Sequence, residues 1–350
     1  MRGGSLLAVC ALVLAPTAVI AADINPGAWL IEVSEAQRNS NYQGILLHRS
    51  GESIDSFRVT HRYKNGEARE RLQTLTGDPR DVVRRGEKVI CLVPPGNRLP
   101  ESAMHGLPQS MIPKLDAEQL QRINQSYVLA SLGESRIAGR RCQGVSITPR
   151  DPLRYGYEVW ADKETKVPLK VLLKDSDGKP IEQIMFTEVR FPEMIPDEVF
   201  DITPQLDQGY ASVSQERSES PLDVALAGRS PNQGKGPDLH MGLVSIPEGF
   251  EVVMFAQREL PNGTGTLRHW IISDGLTSVS IFGRQSIGER PASMPQSSHA
   301  LGAMHAYRQI VGKVEITVVG EVPSQTVRVI AEGTSKRMGS SASPGISASP

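Results

Sequence analysis

The 350-residue sequence predicts a mainly β (α+β) protein of two unequal units. Three features predict it: short period-two segments between Gly- and Asp-containing turns, a scarcity of helical periodicity, and one Pro-, Gly-, Ser- and Gln-rich stretch that divides the chain. The segment Arg154–Phe191, RYGYEVWADKETKVPLKVLLKDSDGKPIEQIMFTEVRF, carries the pattern most clearly. It reads as three antiparallel strands with turns at Asp162–Lys166 and Asp175–Gly178, where Asp and Gly accept tight backbone angles. Alternation puts Tyr155, Tyr157 and Val159 on one face and Trp160 on the other, with Ile184 and Phe186 opposite Met185 and Val189. A sheet apolar on both faces needs cover on both, from helices, a second domain or a bound oily ligand.

In chain order, Arg2, the apolar run Leu6–Ile20 and the small pair Ala21-Ala22 form a cleavable export signal over residues 1–22, too short to span a membrane as a helix. Asn25-Pro26 is a helix start, and Trp29, Leu30, Val33 and Ala36 share the apolar face of a helix reaching about Gln37. The period then changes to two, with strands at Tyr42–His48, Ser56–Tyr63, Ala68–Leu75, Val82–Arg84 and Lys88–Val93. Asn65-Gly66 is the strongest hairpin signal among their turns. The Pro- and Gly-rich stretch Pro94–Pro113 breaks the sheet, and its Met104, His105, Leu107, Met111 and Ile112 suit either a mobile apolar lid or a packed loop. Asp116 caps a short helix, and strands resume at Tyr127–Leu132, Ser135–Ile137 and Arg141–Thr148. The first unit covers 23–203, a linker 204–240, a small α+β domain 241–334, and a disordered tail 335–350. Pro323-Ser324 opens the last helix, which Gly333 ends.

The charge balance, 38 Lys plus Arg against 39 Asp plus Glu, gives no reason to expect nucleic acid as a partner. The histidines lack the i, i+4 spacing of a zinc helix and no CxxC occurs, so no metal is expected. Gly228–Gly236 is one residue too long for a phosphate loop and Gly236 stands where Ser or Thr would hold magnesium. Ser286 lies in GRQSIG, not GxSxG. The residues therefore predict no enzyme and no cofactor. Cys91 and Cys142, left after the leader is removed, are candidates for a disulfide in an oxidising compartment, with two separately buried thiols the alternative. Arg69, Arg71, Arg84 and Arg85 belong to basic runs that read either as a solvated sheet face or as a site for acidic groups. Ser273-Asp274-Gly275 is a turn between two oily strands, and such turn tips are common contact points.

The export signal, RIAGRRC at Arg136–Cys142, YEVWADKETKVPLKVLLKDSDG at Tyr157–Gly178, SDGLTSVSIF at Ser273–Phe282 and ITVVGEVPSQTVRVIAE at Ile316–Glu332 together resemble the RseB/MucB family, periplasmic negative regulators of the sigma-E (AlgU-type) envelope stress response. The resemblance spans Trp29 to about Glu332. It implies a LolA/LolB-like curved, half-open β-barrel with helical cover, followed by a small C-terminal α+β domain. It also implies a periplasmic protein that binds the periplasmic region of an RseA/MucA-like membrane anti-sigma factor, shields it from site-1 proteolysis, and is released by lipopolysaccharide or acyl chains. On that basis Tyr155, Tyr157, Trp160 and Phe186 are candidates for an apolar concavity, Arg69, Arg71, Arg84 and Arg85 for lipid phosphates, and Ser273, Asp274 and Gly275 for partner contact. The alternative is a lipid or lipoprotein carrier without an anti-sigma partner. The oligomeric state stays open, a homo-oligomer included.

Overall fold

The computed structural model describes residues 24–86, 88–97, 110–216, 244–260, 265–286, 297–311 and 313–341. The leader, loop residues Met104, His105 and Leu107, and linker residues 217–240 lie outside the described residues.

Helix α1 (Pro26–Asn39) starts as its sequence requires: the Asn25 side chain accepts from the Ala28 amide and Pro26 occupies the first turn. Strands β1 (Tyr42–Ser50), β2 (Ser53–Lys64), β3 (Glu67–Thr74), β4 (Asp81–Arg85) and β5 (Lys88–Val93) follow as an antiparallel meander. Asn65 and Gly66 form the β2–β3 turn with φ of 54° and 82°, the left-handed pair that a tight hairpin demands. Helix α2 (Ala117–Ser126) is held by a capping box between Asp116 and Gln119. A second meander runs through β6 (Tyr127–Ile137), β7 (Arg140–Pro149), β8 (Gly156–Asp162), β9 (Pro168–Lys174) and β10 (Pro180–Arg190). Pairing of β10 with β1 fuses the two meanders. A 3-10 turn at Asp197–Phe200 and a short helix α3 (Thr203–Asp207) lead to β11 (Ala211–Glu216), which pairs with β5.

The resulting order is β11-β5-β4-β3-β2-β1-β10-β9-β8-β7-β6, an open sheet with β11 and β6 at its ends. Helix α1 packs against β2, β6 and β9, strands far apart in that order, so the sheet has to curve around it. Trp29, Leu30, Val33 and Ile123 from the helices bury against Tyr127, Val145, Ile147 and Val159. Burial of such side chains contributes about 1.5–3 kcal/mol each, so the helices and the curvature are stabilised by the same contacts.

The second unit is a six-stranded antiparallel sheet of β12 (Glu251–Glu259), β13 (Gly265–Ser273), β14 (Ser278–Ser286), β15 (Ser297–Leu301), β16 (Met304–Val311) and β17 (Val314–Gly320), ordered β12-β13-β14-β17-β16-β15. Helix α4 (Ser324–Ser341) covers one face, with Val327, Ile330 and Ala331 against Trp270, Ile281, Ile316 and Val318.

Three boundaries differ from the sequence expectation. Strand β11 and helix α3 fall within the expected linker, because the exposed, polar Ala-Ser-Val-Ser of β11 has no apolar period to reveal a strand held by backbone pairing. Helix α4 runs past Gly333 into the expected tail, where burial of Thr334, Ser335 and Met338 outweighs the weak helix preference of a Ser- and Gly-rich run. Strand β6 is continuous, with a bulge between Ser131 and Gly133 where two strands were expected.

The two units are docked by a buried ion pair. Arg154, between β7 and β8, donates from Nε to Asp274 Oδ2 at 2.9 Å, and both side chains are fully buried. Tyr127, at the C-terminal end of α2, donates its hydroxyl to the same oxygen at 2.8 Å. Arg154 also pairs with Asp151, donates to the Glu248 carbonyl at 2.6 Å and lies 4.4 Å over the Phe250 ring. Thr326 and Gln325 at the start of α4 donate to the Leu153 and Pro152 carbonyls. Removing one member of a buried pair strands the other charge, so Arg154→Ala is expected to cost about 3–5 kcal/mol. Urea unfolding of the mature protein checks this; a loss below about 1 kcal/mol would mean that Asp274 finds water or another partner.

A candidate ligand cavity between the two sheets

Strand alternation directs one set of side chains from the curved sheet inward: Tyr42, Leu46 and His48 of β1, Val59 and His61 of β2, Leu72 of β3, Leu173 of β9, and Glu182, Ile184 and Phe186 of β10. The second sheet turns the face without α4 toward them. Ser280 and Phe282 of β14 and Val319 of β17 line the same space, while their neighbours Val279, Ile281 and Val318 point into the α4 core. Between the two lies a cavity of about 1350 Å³, also walled by the end of α1 and residues 110–114. That is larger than the few hundred to about 1,000 Å³ of small-molecule sites. It suits an extended chain better than a compact metabolite.

Local geometry keeps this wall open and shaped. Gly44 provides the close approach of β1 to β10: a Cβ there would sit 2.1 Å from the Glu188 carbonyl oxygen, next to the bulge between Ile45 and Leu46. Tyr42 stacks on His61 at 4.7 Å and meets Phe186 edge-on at 6.0 Å. Burial pushes the phenols of Tyr42 and Tyr157 well above their ordinary range, so both stay neutral. Residues 110–116 are tied to α1 by Gln37, which meets the Met111 amide and the Ile112 carbonyl, and by Ser34, which meets Pro113 and Leu115. Met111 and Ile112 therefore belong to a packed loop.

The residues nominated from sequence divide between the cavity and other roles. Tyr157 and Phe186 line the cavity, as do Arg84 and Arg69. Arg84 is paired with Glu70 inside it, and Arg69 with Glu67 and Asp197 at its margin. Trp160 faces the opposite side of β8 and covers Gly144, where a Cβ would come within 2.6 Å of the indole. Tyr155 is buried against Ala303, its hydroxyl 3.2 Å from His305 Nδ1. Arg71 chelates Asp81 and donates to the Val199 carbonyl at 2.7 Å; Arg85 donates to the Phe200 carbonyl. These two arginines hold the segment behind the sheet rather than facing the cavity. Ser273, Asp274 and Gly275 are buried in the domain junction: Asp274 binds Arg154, and Gly275, at φ 96°, lets the turn lie on α2 beside Ile123. Their contacts are internal to this chain.

The candidate disulfide is corrected. Cys91 and Cys142 are buried thiols on β5 and β7, near opposite ends of the long sheet, and no disulfide joins them. Burial pushes the Cys142 thiol up to about 11 and raises Cys91 as well. Sequence reasoning missed Tyr42, Leu46, His48, Glu182, Phe282 and Glu321 as cavity residues. The alternation of β1 was a usable signal for Tyr42 and Leu46; nothing local marks Glu321, whose position depends on how two domains meet.

Fold and cavity define a two-domain, mainly β binding architecture in which an open curved sheet and a smaller sheet share one internal space. Comparison with known proteins gives it a family. Residues 25–204 match the MucB/RseB N-terminal domain and residues 239–335 the MucB/RseB C-terminal domain. The chain belongs to the MucB/RseB family. It is 29% identical over 336 residues to the sigma factor AlgU regulatory protein MucB of Pseudomonas aeruginosa, covering 95% of this chain and 96% of that one. It is 28% identical over 308 residues to the sigma-E factor regulatory protein RseB of Escherichia coli K12, covering 87% and 89%. Among solved structures, the Pseudomonas aeruginosa MucA/MucB complex matches with a TM-score of 0.62 at 26% identity, over 88% of this chain and 97% of that one.

With the Cys142 thiol near 11, its thiolate fraction at pH 8 is about 10⁻³. A colorimetric thiol assay is expected to find both cysteines inert in the native protein at pH 8 and both reactive in 6 M guanidinium (roughly twice the strength that unfolds most small domains). Rapid reaction of either in the native protein would contradict the burial.

Proposed function

We propose that this protein is an exported, periplasmic regulator that holds the periplasmic region of a membrane anti-sigma factor in the cavity between its two sheets. It thereby shields the cleavable segment from site-1 proteolysis and keeps a sigma-E-type factor restrained. The observation that carries the reading is the cavity itself: about 1350 Å³, walled by both domains, and lined by both apolar and hydrogen-bonding groups such as Leu46, Phe186, Phe282, His61 and Ser280. An extended peptide needs such a mixture, since its backbone must be satisfied while its side chains are buried. Support comes from the relatives, named as sigma factor regulatory proteins, and from MucB, crystallised with MucA(peri).

Release follows from competition for one space. Lipopolysaccharide or another acyl-chain ligand lays its apolar chains along Leu46, Leu72, Ile184 and Phe186, where the partner's apolar side chains otherwise sit. Two ligands competing for one cavity weaken each other by the same factor, so partner and lipid are reciprocally coupled. The partner segment orders on binding, which offsets part of its contact energy and leaves an affinity that an amphiphile can overcome.

Calorimetric titration of the mature protein with the periplasmic region of its anti-sigma factor tests this, repeated with lipopolysaccharide present. Binding that lipid weakens at least about tenfold, roughly 1.4 kcal/mol, is the expected outcome. Phe282→Asp, which puts a charge in the shared wall, is expected to weaken partner binding by about as much or more without unfolding the second sheet. Partner binding indifferent to lipid would keep the shield and remove the lipid switch. Absence of partner binding would leave the carrier reading.

A further inference from the structure

Tyr42 of β1 and His61 of β2 are paired across their strands in the wall of the cavity. Both side chains are nearly buried, Tyr42 at 6% exposure and His61 at 7%. Their rings stack at 4.7 Å with an interplanar angle of 8°, which fixes one against the other. The backbone decides which end of the imidazole is presented. His61 Nδ1 lies 2.8 Å from the Ser40 carbonyl at the end of α1. A carbonyl only accepts, so Nδ1 carries the hydrogen and, in the neutral ring, Nε2 carries a lone pair. Neither Nε2 nor the Tyr42 hydroxyl has a hydrogen-bond partner among the described residues. Neither atom is sealed off: the unpartnered polar atoms shut away from solvent include Trp160 Nε1, Trp270 Nε1 and the Tyr307 hydroxyl, but not these two. Two side chains more than nine-tenths buried thus each keep one unused polar atom on the cavity.

The two atoms are of opposite kind. Tyr42, kept neutral by burial, offers an O–H, and His61 offers a lone pair. Glu70, which faces His61 from β3, is itself bonded to Arg84 of β4. Leu46, Val59, Leu72 and Phe186 form the apolar wall beside the pair. One residue of an extended chain presents its N–H and its C=O on the same side, as it does in a hydrogen-bonded strand pair, and so complements both atoms at once. A carboxylate or phosphate has acceptors alone: it satisfies Tyr42 and sets lone pair against lone pair at His61. An acyl chain complements neither.

We propose, on the reading of the cavity as a peptide site, that Tyr42 and His61 are a main-chain recognition pair. The phenol donates to a carbonyl of an extended segment and His61 Nε2 accepts from an N–H of the same residue, while the segment's side chains enter the apolar wall. The pair is the specificity element of the cavity: it rewards a peptide backbone, and its imidazole gives an anionic amphiphile nothing to bind.

Calorimetric titrations of the full mature chain with the periplasmic region of its anti-sigma factor, and separately with lipopolysaccharide, test the pair. Tyr42→Phe keeps the stack and loses the hydroxyl; His61→Asn keeps a donor for Ser40 and loses the lone pair on the cavity. Each is expected to weaken the peptide partner about three- to tenfold, the worth of one neutral hydrogen bond. His61→Asn leaves lipopolysaccharide affinity within about twofold, since that ligand never used Nε2. His61→Gln, whose side-chain amide reaches the Nε2 position, recovers part of the lost peptide affinity. Urea midpoints of Tyr42→Phe and His61→Asn stay near the wild-type value, because neither lost atom has a partner within the described chain. NMR of the free protein at pH 8, where imidazoles are ordinarily neutral, is expected to show His61 with its hydrogen on Nδ1. A hydrogen on Nε2 overturns the assignment before any partner is added. Equal losses for peptide and lipopolysaccharide in His61→Asn overturn it as well, since they report damage to the wall. Wild-type binding of the partner that both variants match removes the pair's role alone. A wild-type protein that binds no partner removes the peptide reading, and the pair's role with it.

Discussion

The buried pair of Arg154 and Asp274 is the constraint on which the rest of the architecture depends. A guanidinium and a carboxylate without solvent are costly unless every lone pair and N–H is used, and here almost all are. Asp274 Oδ2 takes Arg154 and Tyr127, while Oδ1 accepts from the Leu276 and Thr277 amides. The carboxylate thus shapes its own turn and binds the other domain with the same group. Arg154 in turn reaches Asp151, Glu248 and the Phe250 ring. The pair adds directional contacts to the Thr326 and Gln325 bonds that dock the two units beside it.

The back of the curved sheet shows why the basic runs have a structural role first. Arg62 donates to the Ile195 carbonyl and to Asp197, Arg69 to Asp197, Arg71 to the Val199 carbonyl and Arg85 to that of Phe200. Four arginines from three strands clamp one irregular segment whose carbonyls have no strand partner. Unpaired backbone acceptors close to a sheet are expensive, and a planar guanidinium with several donors resolves them well. The clamp holds the segment leading to β11, which pairs the otherwise open edge of β5.

How much of this the sequence carries depends on the range over which each signal acts. The meander of β8 to β10, the Asn25 and Asp116 caps and the Asn65-Gly66 hairpin were legible because alternation and capping are properties of a few adjacent residues. Tyr157 and Phe186 were found in the same way. Strand β11 was not, since Ala211 to Ser214 are exposed and the strand exists only through backbone pairing with β5. Arg71 and Asp274 were recognised as special residues, yet their partners, Val199 and Arg154, lie 128 and 120 positions away. Charge and turn propensity mark a side chain that must be satisfied without saying by what.

The same limit explains why a binding cavity of this kind escapes sequence reading while a catalytic centre often does not. A catalytic site concentrates a few chemically distinctive residues whose types alone suggest a reaction. This cavity is assembled from ordinary strand residues, Leu46, Val59, Leu72, Ile184 and Phe186, each of which is also an unremarkable core residue. What makes them a wall as well as a core is the space beside them: Leu46, Val59, Leu72 and Phe186 are buried and still border the cavity. That space results from where the second domain is held. Had the second sheet turned its α4 face inward, its helix would cover these side chains and the space would close as packed protein. Instead the uncovered face, with Ser280, Phe282 and Val319, looks across at them. The cavity between these two surfaces is space that a flexible segment would enter without rearranging either domain's own core.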